Sequence, residues 1–225
     1  PAGTMITTSE NWAALGGEAS YRNDDLAELL ARIDFLSLHT YAFHDTYYNP
    51  ALQWGPLPGE QDLPVTEQVD RAIARAIALQ EDQVQAVRDH LDALGLEKEI
   101  HIGETGWASR DDSHYGPDGT RAANEYIAGL FHAAARRWTR QNGMTCFYFQ
   151  AFDEPWKSGG TAGSEGHFGL ITVDGRAKYA LWDLVDAGVF AGLSRGGNPI
   201  VKTHGGDVQE LLEPLRAPVH RKFRP

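Results

Sequence analysis

A single cysteine, Cys146, in 225 residues excludes an internal disulfide and any multi-cysteine metal site. It leaves the compartment open, because many secreted chains also lack disulfides. No apolar run approaches the roughly 18–20 residues that cross a bilayer. The opening Pro1-Ala2-Gly3-Thr4 shows no basic region followed by an apolar one, so neither a membrane span nor an intact secretion signal is expected. Positive charge is scarce: 20 Lys and Arg against 31 Asp and Glu give a formal net charge of −11, a field that repels phosphate backbones and anionic lipid. Neither nucleic acid nor a membrane is an expected partner. No internal repeat is visible. What is present, 42% hydrophobic and 23% charged residues, is the composition of an ordinary globular domain.

Four apolar runs rich in β-branched and aromatic residues read as strands: Met5 to Thr8, Ile33 to Tyr41, Glu99 to Gly103 and Thr145 to Phe152. The last three are nearly continuous, as in parallel sheets buried on both faces. Helical periodicity lies between them, from about Thr66 to Leu94 with Gly95 as the stop, from about Thr120 to Arg140, and from about Lys178 to Ala187. The β-α alternation implies a parallel sheet with right-handed crossovers. The long segments Phe43 to Gly59, Ser109 to Gly119 and Trp156 to Ser164 all follow strand C-termini, which is the catalytic end of a (β/α)8 barrel. Such a barrel needs eight strands, and four are found. The stretch from Gly196 to Pro225, with a basic end at Arg216 and His220 to Arg224, reads as a peripheral tail to a domain over residues 1–195.

Two positions carry chemistry. Glu104, in Ile102-Gly103-Glu104-Thr105-Gly106-Trp107, stands where a buried strand turns into a loop, and either serves as a catalytic or ligand-binding carboxylate or caps that loop. Glu154 and Lys157, in Phe152-Asp153-Glu154-Pro155-Trp156-Lys157, lie beyond the fourth strand beside two aromatic rings, and alone read equally as a surface ion pair.

Together these segments resemble glycoside hydrolase family 17, the clan-A β-1,3-glucanases. Glu104-Thr105-Gly106-Trp107 with Ser109 resembles the family's nucleophile motif, and Phe152 to Lys157 followed by Glu165-Gly166-His167-Phe168-Gly169-Leu170 resembles its strand-eight signature. Ser37-Leu38-His39-Thr40-Tyr41-Ala42-Phe43 is similar to its strand-six motif, and Thr7-Thr8-Ser9-Glu10 to its strand-five end. The likeness runs to about residue 190 and is nearest to bacterial, laminarin-degrading members. It implies Glu104 as the nucleophile of a retaining mechanism, with Glu154, Lys157 and Glu165 positioning sugar hydroxyls. It also implies a secreted or periplasmic β-1,3-glucan hydrolase, the transferase and the binding-only module being the alternatives.

One element of the family pattern is missing. The acid/base Glu follows an Asn at the end of strand four, and no such pair followed by a fifth-strand pattern occurs. The chain is therefore expected to supply the second half of a TIM-type α/β barrel, strands five to eight. An N-terminal half-barrel segment or a second chain is then needed to cover its edges. Glu10 and His39 are expected to touch sugar. Trp12, Tyr41, Phe43, Trp107, Phe152 and Trp156, at strand ends, are expected as stacking platforms rather than core. His39, His101 and His167 with Glu104 show no H-x-H or H-x-x-x-H pair, so no metal or other cofactor is expected.

Overall fold

The structure, a computed structural model, describes residues 3–158 and 163–221. Residues 159–162 of the expected Trp156 to Ser164 insertion and 222–224 of the basic end lie outside the described residues. In chain order the main body is β1 (Thr7–Asn11), α1 (Asp24–Arg32), β2 (Phe35–His39), α2 (Ala42–Tyr48), α3 (Val65–Ala93), β3 (Glu99–Thr105), α4 (Glu125–Gln141) and β4 (Cys146–Tyr148). After it come β5 (Arg176–Ala177), α5 (Trp182–Asp186), β6 (Ser194–Arg195), β7 (Asn198–Pro199), β8 (Val201–Lys202) and α6 (Val208–Leu212). No helix among the described residues is long and apolar enough to cross a membrane.

Local chemistry sets the helix ends. The Asn23 side chain accepts from the Leu26 N–H and opens α1, with Asp24 and Asp25 in the first turn and Arg32 in the last, as the helix dipole favours. Gly95, at φ +68°, closes α3. Asn124 accepts from the Tyr126 and Ile127 N–H groups and opens α4. That helix starts five residues later than the periodicity suggests, because Arg121 stands at φ +60°, outside helical space. The expected loop after β2 contains α2, a short helix that buries Ala42, Phe43 and Thr46 at one-turn spacing. The expected Lys178–Ala187 helix breaks into a 3-10 turn, Tyr179–Leu181, followed by α5.

The four main strands form one parallel sheet in the order β1-β2-β3-β4. They alternate rather than being buried on both faces. Leu36 and Leu38 of β2 and Ile100 and Ile102 of β3 point at the helices, packed with Leu30, Val87 and Leu91, each such burial contributing about 1.5–3 kcal/mol. The opposite face carries Ser9, Ser37 and Gly103, and Ser9 Oγ lies 2.9 Å from Ser37 Oγ. A Cβ on Gly103 would sit 1.9 Å from Ser37 Oγ, so only glycine lets these strands approach there. Phe147 of β4 is 67% exposed, and Met5 and Ile6 before β1 are each 62% exposed.

The fourth apolar run divides. Cys146–Tyr148 pairs with β3, but beyond Phe149 the chain bonds instead to its own return: Gln150 N–H to Phe168 O, Ile171 N–H to Ala151 O and Asp153 N–H to Ile171 O. A second core at the strand C-termini holds Phe43, Trp54, Trp107, Phe131 and Phe168, all essentially inaccessible. Residues after 195 pack back on this body. Leu211 and Leu215 are buried, the Trp182 indole N–H donates to Thr203 Oγ1 at 3.2 Å, and the Val219 N–H reaches Thr120 O at 3.1 Å.

Candidate active site

Glu104 is placed by an irregularity. Leu38 pairs with Ile102, but the register then shifts so that His39 faces Glu104, which turns both side chains onto the open face. One carboxylate oxygen, Oε2, accepts from the Tyr41 hydroxyl at 3.0 Å and lies 3.6 Å from His39 Nδ1. The other, Oε1, has no hydrogen-bond partner among the described residues, and the side chain is 40% exposed. Burial, reinforced by the Glu104 charge, pushes the Tyr41 hydroxyl far above the ordinary tyrosine range, so it stays a donor. His39 Nε2 lies 2.8 Å from Ser9 Oγ, which links β1, β2 and β3 through one polar chain.

Beneath this pair sits Gln80 of α3, fully buried. Its Nε2 is within 2.8 Å of Thr40 O, 2.7 Å of Thr40 Oγ1 and 2.9 Å of Thr105 Oγ1. Thr40 precedes Tyr41 and Thr105 follows Glu104.

The adjoining rim comes from the segment after β4. Lys157 and Glu154 form an ion pair, and the Lys157 ammonium lies 4.7 Å from the Phe149 ring centroid. Hydrogen bonding from Lys157 holds the Glu154 carboxyl below the usual carboxylate range. Glu165 Oε1 lies 3.9 Å from His44 Nε2, and His44 Nδ1 is 3.0 Å from the Tyr115 hydroxyl. Burial lowers the His44 pKa, with Glu165 opposing. Two buried groups staple the rim loops together. Asp111 accepts from the N–H groups of Ser113, Tyr115 and Ser164. The Lys178 ammonium reaches Asp153 Oδ1 at 2.6 Å, Ser109 Oγ at 2.7 Å and His167 O at 3.3 Å.

The structure thus brings Glu104, His39, Tyr41, Glu154, Lys157 and Glu165 to one end of the sheet, with Trp156 65% exposed beside them. Other expected contacts fall elsewhere. Phe43 and Trp107 are core residues, at 0% and 1% exposure, and the Trp107 indole N–H is spent on Ala122 O, so no sugar stacks on either. Phe152 packs against Ile171, Ala177 and Leu181, and one face of its ring is covered by the Arg195 guanidinium at 3.7 Å. Trp12 is half-buried against the helix-side core. Glu10 pairs with Leu38, whose side chain faces the helices, so strand alternation directs it away from the Glu104 face. His101 receives the Thr145 N–H and His167 lies 3.7 Å from Asp153, each apart from Glu104.

Composition and spacing did not pick out His44, Tyr115, Asp111, Lys178 or Gln80. Only Gln80 left a trace, as a polar residue in the apolar stripe of α3 between Ile73 and Val87. A cavity of about 720 Å³ lies away from Glu104, between Ser109–Glu125, Thr172–Asp174 and Leu211–Arg216. Glu104 itself stands on an open sheet face, its side chain 40% exposed.

Comparison with known proteins gives the family. The glycosyl hydrolases family 17 model matches residues 66–182. A solved endo-laminarinase from Formosa Hel1_33_131 is 47% identical, with a TM-score of 0.93 over 98% of this chain and 56% of that one. Its likeness, with the family match, gives the fold as α/β of TIM-barrel type. A glucan 1,3-beta-glucosidase from Arthroderma benhamiae is 39% identical over 88 residues, 36% of this chain and 27% of that protein. Another from Schizosaccharomyces pombe is 36% identical over 80 residues, covering 23% of that protein. The chain spans about half the length of the laminarinase, and its matching stretch about a quarter of the curated relatives.

Proposed function

The chain belongs to glycosyl hydrolases family 17, and from that premise we propose that it carries the nucleophile half of a retaining hydrolase of laminarin-type β-1,3-glucan. The observation that carries this reading is the Glu104 carboxylate. Tyr41 donates to one oxygen and His39 stands beside it, while the other oxygen is unpartnered among the described residues and the side chain is 40% exposed. Such a group is oriented and accessible, as a nucleophile must be. In the first step Oε1 bonds to the anomeric carbon as the bond to the leaving oxygen breaks, and a second carboxyl protonates that oxygen. In the second step that group takes a proton from water, which displaces Glu104.

The acid is not Glu154, which Lys157 keeps ionised, nor Glu10, whose strand position directs it to the other face. We place it on a segment that completes the ring. Four parallel strands with a free outer edge on β1 and on β4, among the described residues, are half of an eight-stranded barrel. In this reading β1 to β4 are strands five to eight, residues 1–195 are the second half-barrel, and 196–225 its tail. The missing half comes from an N-terminal segment or a second chain. Trp156 is the stacking platform, and Glu154, Lys157 and Glu165 grip hydroxyls. The site of action is secreted or periplasmic.

A dinitrophenyl 2-deoxy-2-fluoro-β-laminaribioside tests the assignment, because its leaving group needs no protonation. Incubation followed by peptide mass mapping should place the sugar on Glu104, and Glu104→Gln should remain unlabelled. Labelling of another carboxylate, or equal labelling of the variant, overturns it. A second reading, glucan binding without turnover by this chain alone, is favoured by Glu154 and Glu165 being engaged by Lys157 and His44. Laminarin hydrolysis by the isolated chain would refute it.

A further inference from the structure

Gln80 takes no part in the chemistry proposed above, yet it is a fully buried polar residue beneath the nucleophile. It is 0% exposed on a helix whose neighbouring stripe positions, Ala76, Val84 and Val87, are all core. A glutamine there is costly, since an amide removed from water without partners loses about 1–3 kcal/mol. The cost is offset on one side only: Nε2 faces three acceptors, whereas Oε1 has no partner among the described residues. A core selected for stability alone would carry leucine at this point of the stripe.

The three acceptors locate its task. Thr40 O and Oγ1 belong to the residue before Tyr41, and Thr105 Oγ1 to the residue after Glu104. The Thr40 N–H donates to Glu104 O at 3.0 Å, so these two strand ends already share one backbone bond. It lies just past the register shift, where the regular ladder of β2 and β3 is interrupted. Gln80 supplies the fixing that the ladder does not, from a 29-residue helix that is itself anchored along the sheet. A displacement of either strand end moves the Tyr41 hydroxyl relative to Glu104 Oε2.

We propose that Gln80 is a positioning residue for the Tyr41–Glu104 hydrogen bond, acting through Thr40 and Thr105. Its catalytic meaning rests on reading Glu104 as the nucleophile, but the hydrogen bond can be measured without that reading. Tyrosine labelled with carbon-13 at Cζ reports the state of the Tyr41 hydroxyl, with the resonance assigned by its loss in Tyr41→Phe. Glu104→Gln, which replaces the charged acceptor, sets the direction of the shift. Gln80→Leu should move the resonance in that direction, while Gln83→Leu, equally buried on the same helix but bonded to Asp45, should leave it in place. A folded Gln80→Leu whose Tyr41 resonance matches wild type overturns the proposal. If circular dichroism shows that Gln80→Leu does not fold, Thr105→Val deletes one acceptor isosterically and must move the resonance the same way; no movement overturns the proposal equally. In an assembly that turns over laminarin, Gln80→Leu should lower kcat about tenfold or more with KM within about twofold, since Gln80 touches no sugar. A changed resonance with unchanged kcat would leave the positioning intact and tell against Glu104 as the nucleophile.

Discussion

Replacing Lys178 with methionine isolates the contribution of a buried charge to the rim of the site. Lys178 and Asp153 are each 5% exposed, and their contact is 2.6 Å. Burial lowers the lysine pKa even though Asp153 works to raise it, so desolvation outweighs the attraction. The pair as a whole is therefore a weak source of stability, while breaking it is expensive. Lys178→Met keeps the aliphatic stem and strands a carboxylate in the interior, for which about 3–5 kcal/mol is the expected range. Asp153 keeps the Gly169 N–H at 2.9 Å and has His167 Nδ1 at 3.7 Å, which places the loss near the lower end, about 3 kcal/mol. In urea that is a midpoint lower by about 1–2 M. The double variant Lys178→Met/Asp153→Asn removes both charges and should recover more than half of the loss. Arg32→Met, which breaks an exposed i,i+4 pair with Glu28, should change stability by about 0.5 kcal/mol or less. A Lys178→Met midpoint within about 0.3 M of wild type, or a double variant no better than the single, would refute the reasoning.

Burial against Tyr148 and the nearby Arg136 hold His132 at a pKa of about 4, against 6.5 unfolded, so the unfolded chain binds the proton first. Its contribution is complete above pH 6.5 and is lost as pH falls toward 4, up to about 3 kcal/mol; urea melts of His132→Phe should show a flatter pH dependence across that window. Trp156→Ala should leave the melt unchanged and weaken laminarihexaose binding by about 0.5–1.5 kcal/mol in calorimetry, whereas Trp107→Ala should cost about 3–5 kcal/mol of stability. Dialysis against a chelator should leave sugar binding and turnover unaltered, because carboxylates carry the proposed chemistry; recovery only on adding a divalent ion would count against it.

Much of this was legible in the residues, and the failures have identifiable causes. α3 and α4 were readable because a long amphipathic period repeats enough times to outweigh local noise. Glu104 stood out as a candidate because a carboxylate between two glycines at a strand end serves no packing purpose. α2 was hidden by its brevity and by the tyrosines, prolines and glycines around it. The division of Thr145–Phe152 was invisible because both halves are apolar; only the partner differs, β3 for the first and residues 168–171 for the second. The aromatic residues misled for a related reason. Trp107 and Trp156 stand at similar loop positions in the sequence, and what separates them is whether an acceptor for the indole N–H, such as Ala122 O, lies within the fold. No spacing rule encodes that.

The register shift between Leu38 and His39 links these levels most directly. In a regular parallel ladder, with Leu38 opposite Ile102, His39 would face Gly103, and Glu104, one residue further, would point to the helix side among Leu36 and Ile102. The shift inserts one residue into β3 and rotates Glu104 onto the open face, where Tyr41 and His39 meet it. Its cost is a stretch of ladder without regular pairing, directly under the group whose orientation matters most. The buried polar contacts of Gln80 with Thr40 and Thr105 lie at that stretch and restore cross-strand connection from the helix layer. Giving the inserted residue a partner, by placing one alanine between Leu38 and His39 so that the ladder runs regularly, should therefore do more than lengthen a strand. It should turn the Glu104 carboxylate into the helix-side core, uncharged or unpaired, and the chain should lose both its reactivity toward the fluorosugar and several kcal/mol of stability. An insertion variant that stays fully stable and still labels at Glu104 would show that the shift does not orient the carboxylate.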